Sequence, residues 1–487
     1  MFLIWTAFFA LAIFIFLKRK RFNYPPGPTG IPVFGSLPFV SKNLLAKFDE
    51  YADAYGDIFS IQLGAFDVIV LNSLEAIREA FKEDVFSGRP QFHFQTIRNE
   101  GNHGILFADG TGWREMRRFT LRTLRDFGLG RTSLENIVKD EISQLIEGLT
   151  KNDGEELLLH NRFSISVVNA LWMITAGKRY DIDDPLIKER TRVIAQLVQS
   201  SSFANARNFL PSLRILWPPL QRDLDHRIEF HENVKNDFLK MIIQHKETND
   251  DTHDFINTFL KHAAEQGEDS HFYGEEGLIQ LKLVLLDLFV AGAETTSTTM
   301  TWFFLLMALY PDIQKKIHQE IDTHIPDGMP SIGDRQKLVF TEAAIQDSMR
   351  FITLLPFSLP HRAMENTTFR GYDIPKDTII LANLNRVHRD PKLWERPNEF
   401  YPEHFLDSKR KDSSIPFSTG KRVCLGESLA RMQLFLFITS LMQIFEFSVP
   451  DPSNPPNLDT IPALVRGPGQ HMLRLRVRKS LYQKRPN

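Results

Sequence analysis

A single cysteine, Cys424, occurs in the 487 residues of this chain. No disulfide can form within one molecule, and no zinc or iron–sulfur site that needs several cysteine ligands can be built. A lone cysteine is by default a small buried hydrophobe, and a chain of this kind fits a reducing compartment. The residues around Cys424 therefore decide whether its sulfur has a chemical role.

Cys424 lies in the segment FSTGKRVCLG, just before a helix predicted over residues 425–445. The N–H groups at that helix start point towards the sulfur, and the positive helix end favours a thiolate over a thiol. Gly420 and Gly426 permit tight turns and a close approach of the backbone to a flat cofactor. Arg422 supplies a cation for an acidic group. A buried thiolate is costly, so an iron ion is the natural compensation.

The spacing F-x-x-G-x-R-x-C-x-G, read from Phe417 to Gly426, resembles the haem-ligand signature of the cytochrome P450 monooxygenases. The resemblance continues through nearly the whole chain and is to the microsomal, drug- and steroid-hydroxylase-like branch. It implies haem b with Cys424 as the axial iron ligand, and Phe417 and Arg422 among the cofactor-binding residues. Cysteinate ligation favours cleavage of the O–O bond.

A second motif, AGAETT over residues 291–296, lies in an apolar helix predicted over residues 275–309. Gly292 costs roughly 1 kcal/mol relative to Ala inside a helix, and two polar groups follow it in apolar surroundings. Alone, this pattern is more typical of a polar packing patch. In the resembled family the matching acid–alcohol pair delivers protons to dioxygen, so Glu294 and Thr295 are the predicted catalytic residues.

Trp113 and Arg117 are four residues apart and therefore share one face of a predicted helix. Taken singly, such residues are more often surface cations or satisfied core groups. The resemblance implies that both bind haem propionates, together with His361 and Arg422. The same helix also presents basic residues that form a predicted basic face with Lys421: Arg114, Arg118, Arg122 and Arg125.

The basic face is open to two interpretations. It is either an ordinary solvated surface or a docking site for an acidic flavoprotein. The chain has neither a dinucleotide-binding fingerprint nor a P-loop, so its electrons must come from another protein. The resemblance implies NADPH–cytochrome P450 reductase as that partner and allows cytochrome b5 beside it. The balance of 58 basic and 60 acidic residues gives no indication of a nucleic-acid partner.

The predicted reaction inserts one oxygen atom from dioxygen into a lipophilic small molecule such as a steroid, fatty acid, terpenoid or xenobiotic. Forty Phe residues against nine Tyr favour a large apolar core or cavity. The resemblance implies that a distal pocket is lined by Phe92, Phe94, Ile97, Ile105, Phe107, Phe203, Phe357 and Leu359. Most of these side chains fit core packing equally well.

One family motif is altered in this chain. The family's E-x-x-R helix signature is replaced by Asp347 and Arg350, and His404 occupies a later position that often holds Arg. Asp is one methylene shorter than Glu, so its two-point contact with Arg350 is expected to be lengthened or shifted. An imperfect buried pair costs several kcal/mol, so we expect weaker haem retention or lower stability.

The N-terminus carries an apolar run over residues 2–17, followed by the basic residues 18–21 and a proline-rich segment. A run of this length spans about 24 Å as a helix, at the short end for a membrane span. We predict a transmembrane anchor (1–17), a basic and proline-rich linker (18–32) and a catalytic domain (33–487). Charge following the run places this domain in the cytosol. The resemblance to the microsomal branch implies that the anchor lies in the endoplasmic reticulum membrane.

The remaining pattern predicts one large, mainly helical domain with small β-sheets, the cytochrome P450 fold. Residues 58–63 and 66–71 read as two strands, and residues 369–381 as a hairpin or meander. The apolar, proline-broken segment 208–221 either contacts a membrane or entrance, or packs in the core. Two other functions fit the motifs: a haem-thiolate isomerase or dehydratase, and a non-catalytic haem- or lipid-binding protein.

Overall fold

The structure is a computed structural model. It describes Thr6 and residues 23–40, 43–127, 132–181, 184–199, 206–210, 218–248, 253–458 and 464–478. The predicted membrane anchor lies outside the described residues, apart from Thr6, as does Phe203 of the predicted pocket. Within the described part of the chain, no helix is both long enough and apolar enough to cross a bilayer.

Helices make up most of the described chain, as the sequence predicts. In chain order they are α1 (Leu37–Val40), α2 (Leu44–Tyr55), α3 (Leu74–Lys82), α4 (His93–Arg98), α5 (Gly110–Asp126), α6 (Thr132–Thr150), α7 (His160–Ala176), α8 (Pro185–Gln199), α9 (Ala206–Phe209), α10 (Pro218–Thr248), α11 (Phe255–Ala264), α12 (Gly274–Leu309), α13 (Pro311–His324), α14 (Val339–Ile352), α15 (Leu384–Val387) and α16 (Glu427–Ile444). Short 3-10 turns cover Asp84–Phe86, Ile332–Gln336, Pro402–Phe405, Ser408–Ser413 and Gly420–Arg422.

The strands form three small sheets. They are β1 (Ile58–Leu63), β2 (Phe66–Leu71), β3 (Glu156–Leu158), β4 (His361–Arg362), β5 (Thr367–Phe369), β6 (Tyr372–Ile374), β7 (Ile379–Ala382), β8 (Phe445–Ser448) and β9 (Met472–Val477). The sheet orders are β1-β2-β7-β4, β3-β9-β8 and β5-β6. Strands β1 and β2 have the predicted limits. The hairpin or meander predicted over 369–381 around Pro375 is wrong in its turn: the hairpin that forms joins β5 to β6 across residues 370–371, and β7 pairs in parallel with β2.

Helix α12 is the central element of the fold because its residues are apolar on nearly every side. Its middle packs closely against α7. A Cβ added at Gly292 would lie 2.8 Å from a methyl carbon of Leu171, so glycine at this position serves the close contact between the two helices. The sequence shows the conformational cost of this glycine, and the structure supplies the reason for it.

The described end of the segment 208–221 packs in the core. Phe209 and Leu210 are buried, and the ring of Phe209 makes edge contacts with Phe66 and Phe92. For these two residues the core interpretation is confirmed. Residues 211–217 lie outside the described part of the chain.

Candidate active site

A closed loop presents Cys424 at the start of α16. The Cys424 N–H donates to the carbonyl of Phe417 over 3.0 Å, which joins the two ends of the loop. Gly420 has a φ of +75°, and a Cβ there would lie 1.9 Å from the carbonyl oxygen of Phe81. Only glycine fits these two constraints. Gly426 differs, because an added Cβ meets no described protein atom within 4 Å.

The loop forms one wall of a mainly apolar cavity of about 290 Å³, and α12 forms the facing wall. Cys424 is one of the residues that line this cavity, and it keeps accessible surface. Of the predicted site residues, the cavity wall includes Arg117, Thr295, His361, Phe417, Arg422 and Cys424. The fold thus gathers these residues from four separate stretches of the chain.

The Cys424 thiol is poorly suited to carry a charge without a partner. Burial raises its pKa above the ordinary value, and hydrogen bonds from the N–H groups of Gly426 and Glu427 lower it by less. The helix-start N–H groups therefore act as the sequence suggests, but burial outweighs them. A positive ion at the sulfur is needed to favour the thiolate.

Arg422 is buried beside the cavity. Its guanidinium donates to the carbonyl oxygens of Ser87 at 2.7 Å and Ala108 at 2.6 Å, and lies 3.5 Å from the ring centre of Trp113. Burial, followed by the nearby charge of Arg89, lowers the pKa of Arg422 to about 7. These partners are neutral, so they orient the cation without compensating its charge.

Arg89 is a second buried cation of the cavity wall, and the sequence analysis missed it. Its guanidinium donates to the carbonyls of Leu106, Leu359 and Pro360. Burial, and then the charge of Arg117, lowers the pKa of Arg89 to about 9. The local sequence SGRP reads only as a turn with a cation. Its role depends on carbonyls more than 250 residues away, which no local pattern reveals.

His361 and Trp113 add two nitrogen atoms to this region. Nδ1 of His361 bonds the carbonyl of Phe86 at 2.8 Å, so this nitrogen carries a proton, and the ring stacks on Phe81 with centres 3.7 Å apart. Burial, followed by the charge of Arg89, lowers the pKa of His361 well below its usual range. The buried Trp113 indole N–H has no hydrogen-bond partner among the described residues.

These residues fit a haem group. Haem carries two propionate carboxylates, and the cavity wall supplies buried guanidinium groups whose bonded partners are neutral carbonyls. The sulfur of Cys424 faces the same cavity and requires a cation. Cys424 would hold the iron, and the propionates would be held by Arg89, Trp113, Arg117, His361 and Arg422.

The α12 wall separates the two predicted catalytic residues. Thr295 faces the cavity, and its hydroxyl donates to the carbonyl of Ala291 at 2.9 Å. Glu294 is 1% exposed, does not line the cavity, and accepts a 2.9 Å hydrogen bond from the Thr298 hydroxyl. The alcohol is therefore at the cavity surface, whereas the acid lies behind it.

The predicted distal pocket is correct only in part. Ile105 and Leu359 line the cavity. Phe92 and Phe357 instead belong to an apolar cluster beside the first sheet, where Phe357 contacts Phe48 at 5.0 Å between ring centres. Phe94 contacts His231 of α10. Phe92 and Phe357 therefore pack in the core, and the cavity wall near α12 is largely aliphatic.

The altered motif on α14 keeps both contacts of its ion pair. Arg350 donates to the two carboxylate oxygens of Asp347 at 2.6 and 3.2 Å, and both side chains are fully buried. The Tyr401 N–H donates to the same carboxylate at 2.6 Å. The expected weakening is therefore not seen in the geometry.

His404 completes this buried cluster in a defined tautomer. Its Nε2 accepts the Arg396 backbone N–H at 3.2 Å, so Nδ1 carries the proton and donates to Asp347 at 3.0 Å. The cluster therefore holds one anion, one cation and one neutral ring. Asp347 was the reason to consider a non-catalytic protein, and its complete pairing removes that reason.

The fold and this cavity define a haem-thiolate protein, and the chain belongs to the cytochrome P450 family, whose sequence model matches residues 25–475. It is 38% identical to cytochrome P450 2B4 of Oryctolagus cuniculus over 90% of both chains. It is 36% identical to cytochrome P450 2J2 of Homo sapiens, covering 92% of this chain and 90% of the relative. It is 34% identical to cytochrome P450 2L1 of Panulirus argus, covering 89% of this chain and 90% of the relative.

The protein is accordingly a haem-thiolate monooxygenase. Its haem iron is ligated by a cysteine thiolate, and Cys424 is the only cysteine of the chain. It works with a redox partner and acts on a lipophilic substrate.

Proposed function

We propose that this cavity binds haem b on Cys424 and that the enzyme oxygenates a lipophilic small molecule with electrons from NADPH–cytochrome P450 reductase. The observation that carries the proposal is the position of Cys424. Cys424 lines a cavity whose wall also carries buried cations that suit two carboxylates. When bound, the haem supplies the redox chemistry that activates dioxygen.

Thr295 is proposed to hold a proton at the cavity surface. Its hydroxyl already has an acceptor in the Ala291 carbonyl, so its oxygen remains able to accept a proton or a hydrogen bond from the cavity. Glu294 is proposed to replenish that proton from behind the helix surface. Its buried carboxylate bonds Thr298 one turn along α12.

The partner is proposed to dock on the basic face of α5. Arg114, Arg118, Arg122 and Arg125 are exposed there, and Lys421 lies beside the Cys424 loop, where it pairs with Asp84 at 3.4 Å. An acidic flavoprotein domain suits such a face, because steering by opposite charge raises the rate of association. Cytochrome b5 is proposed as a second donor for the same face.

The protein is proposed to be held at the endoplasmic reticulum membrane by residues 2–17, with residues 18–32 as a linker and residues 33–487 as the cytosolic catalytic domain. Support comes from the apolar run and the basic residues that follow it. A fractionation experiment compares the full chain with a chain lacking residues 2–21. The proposal requires that only the full chain remain in the carbonate-washed microsomal pellet.

The central test combines a spectrum with turnover. We expect the reduced full chain to give a strongly red-shifted Soret band in its carbon monoxide difference spectrum, which reports thiolate ligation. We also expect NADPH-, reductase- and dioxygen-dependent oxygenation within a panel of steroids, fatty acids and terpenoids. Cys424→Ser should abolish both. A thiolate band without oxygen uptake across the panel would argue against the monooxygenase assignment.

A further inference from the structure

The loop over residues 99–109, here called the distal loop, crosses the cavity between α4 and α5. Ile105 and Leu106 of this loop line the cavity. Their backbone N–H groups both donate to one carboxylate oxygen of Asp287 on α12, at 2.7 and 2.8 Å. The position of the loop therefore sets the size of the cavity on this side.

Glu100 provides a second attachment at the start of the loop. Its carboxylate bonds the Lys282 ammonium of α12 at 2.7 Å and the Lys235 ammonium of α10 at 3.0 Å. Lys235 is 1% exposed, and it also bonds Glu232 of its own helix at 2.6 Å. Glu100 thus joins the distal loop to two helices through one carboxylate.

The backbone at Glu100 ends α4 in the left-handed region, with a φ of +48°. The Glu100 N–H donates to the carbonyl of Ile97 at 3.1 Å and the Gly101 N–H to that of Thr96 at 3.0 Å, an arrangement common at helix C-termini. Burial raises the pKa of Glu100, but hydrogen bonds from Lys282 and Lys235 outweigh burial and hold the pKa below its ordinary value. The carboxylate is therefore charged at neutral pH and holds both lysines by charge-assisted hydrogen bonds.

We infer that Glu100 is a positioning residue that determines substrate selectivity. By binding Lys235 and Lys282 together, it holds the distal loop close to α12 and limits how bulky a ligand the cavity accepts. The inference rests on the proposed oxygenation of a lipophile in this cavity. Glu100 itself does not line the cavity, so its effect on ligands passes through Ile105 and Leu106.

The test uses Glu100→Gln in the haem-loaded full chain, with imidazole as a small iron ligand and clotrimazole as a bulky one. We expect the imidazole Kd to stay within about twofold and the clotrimazole Kd to fall about fivefold, a change typical of coupled charge networks. Amide hydrogen exchange in residues 99–109 should become about tenfold faster, because the loop opens more often. In turnover, KM should change for bulky substrates while kcat changes little.

Glu403→Gln is the matched control. Glu403 is 30% exposed and binds one lysine, Lys316, at 3.0 Å, whereas Glu100 is 29% exposed. This control should leave both Kd values and the exchange of residues 99–109 unchanged. If Glu100→Gln behaves as the control does, or shifts both ligands equally, the inference is wrong.

Lys282→Gln serves if Glu100→Gln does not fold. This variant removes one of the two lysines that bind Glu100. We expect the same lower clotrimazole Kd, the same faster hydrogen exchange in residues 99–109 and the same change in KM for bulky substrates. Combining Lys282→Gln with Glu100→Gln should add little, because Glu100→Gln alone already removes the Glu100–Lys282 ion pair. A strictly additive double variant would overturn the inference. Ligand binding and hydrogen exchange need no catalysis, so they stay informative even if the enzyme oxygenates nothing in the panel.

Discussion

The guanidinium of Arg422 lies 3.5 Å from the ring centre of Trp113 while it donates to backbone carbonyls, including that of Ser87. This arrangement needs a planar group with several donors, which lysine lacks. We expect Arg422→Lys to fold but to release haem about tenfold faster, since a single ammonium replaces an oriented fork. Transfer of haem to apomyoglobin measures the rate.

Arg466→Lys is the control for placing a lysine in a buried arginine site. Arg466 donates to the carbonyl of Ile352 at 2.8 Å and does not line the cavity. We expect this variant to lose stability with no change in the haem release rate. Equal release rates in the two variants would show that Arg422 has no special relation to haem.

Asp347 gives a prediction about stability. Because Arg350 is fully buried, Asp347→Asn leaves its charge without a counterion and should lower the free energy of unfolding by about 3–5 kcal/mol. Asp347→Glu restores the family's residue but adds a methylene to a filled site, so we expect a loss of about 1–3 kcal/mol. Urea titrations of the full chain measure both changes.

A partly exposed pair provides the comparison for Asp347. Asp322 is 39% exposed and pairs with Arg478, so Asp322→Asn should cost less than about 1 kcal/mol. A higher free energy of unfolding for Asp347→Glu than for the unaltered protein would contradict the prediction, because it would mean that the site around residue 347 has room for the longer side chain.

The Thr295 hydroxyl should matter for coupling electrons to product. Thr295→Ala removes the hydroxyl at the cavity surface, and we expect product formed per NADPH to fall by about tenfold or more. Thr295→Ser should retain most of the coupling. Thr301→Ala alters a buried threonine of the same helix that does not line the cavity, so its coupling should stay normal. Normal coupling in Thr295→Ala would remove the proposed proton-holding role.

Two histidines, the buried His388 and the half-buried His318, predict loss of stability in acid. Burial, followed by the charge of Arg350, lowers the pKa of His388 to about 3; burial, followed by the charge of Arg478, lowers that of His318 to about 4. Because the unfolded chain binds these protons near pH 6.5 and the folded protein does not, stability is full above that pH and falls below it. Each group should contribute a loss of about 1.4 kcal/mol at about pH 5.5.

His318→Gln isolates one of these contributions. Its side-chain amide can keep the donation from residue 318 to the Phe445 carbonyl, which His318 makes at 3.2 Å. We expect the decrease in unfolding free energy between about pH 7.5 and 5.5 to be smaller by about 1.4 kcal/mol in this variant. An unaltered pH dependence would exclude His318 as a source.

The parts of the fold that follow local patterns were predictable from the sequence. Runs rich in β-branched and aromatic residues predict β1 and β2 with their observed limits, and the long apolar run predicts α12 to within one residue of its start. The partner of β2 was not predictable, because β7 lies about 300 residues away and its local pattern fits a hairpin equally well. Register between distant strands depends on the packing of the whole domain.

The residues of the candidate site also fall into two groups: those that a local sequence motif indicates and those that only the folded structure brings together. The motif around Cys424 indicates the cofactor because its glycines, cation and thiol are contiguous in sequence. Arg89 and Glu100 carry no such signal, because their partners are carbonyls and lysines brought together only by folding. For Asp347, the sequence shows a shortened side chain but not the neighbours that close around it.

The contact between Gly292 and Leu171 gives α7 a share in the cavity. Both residues line the cavity wall, as does Val167 of α7. Because the glycine has no side chain, Leu171 can occupy the space that a Cβ at residue 292 would need. Substitutions on a helix with no catalytic group can thus enlarge or fill the chamber, which gives evolution a way to change ligand preference without disturbing the reacting centre.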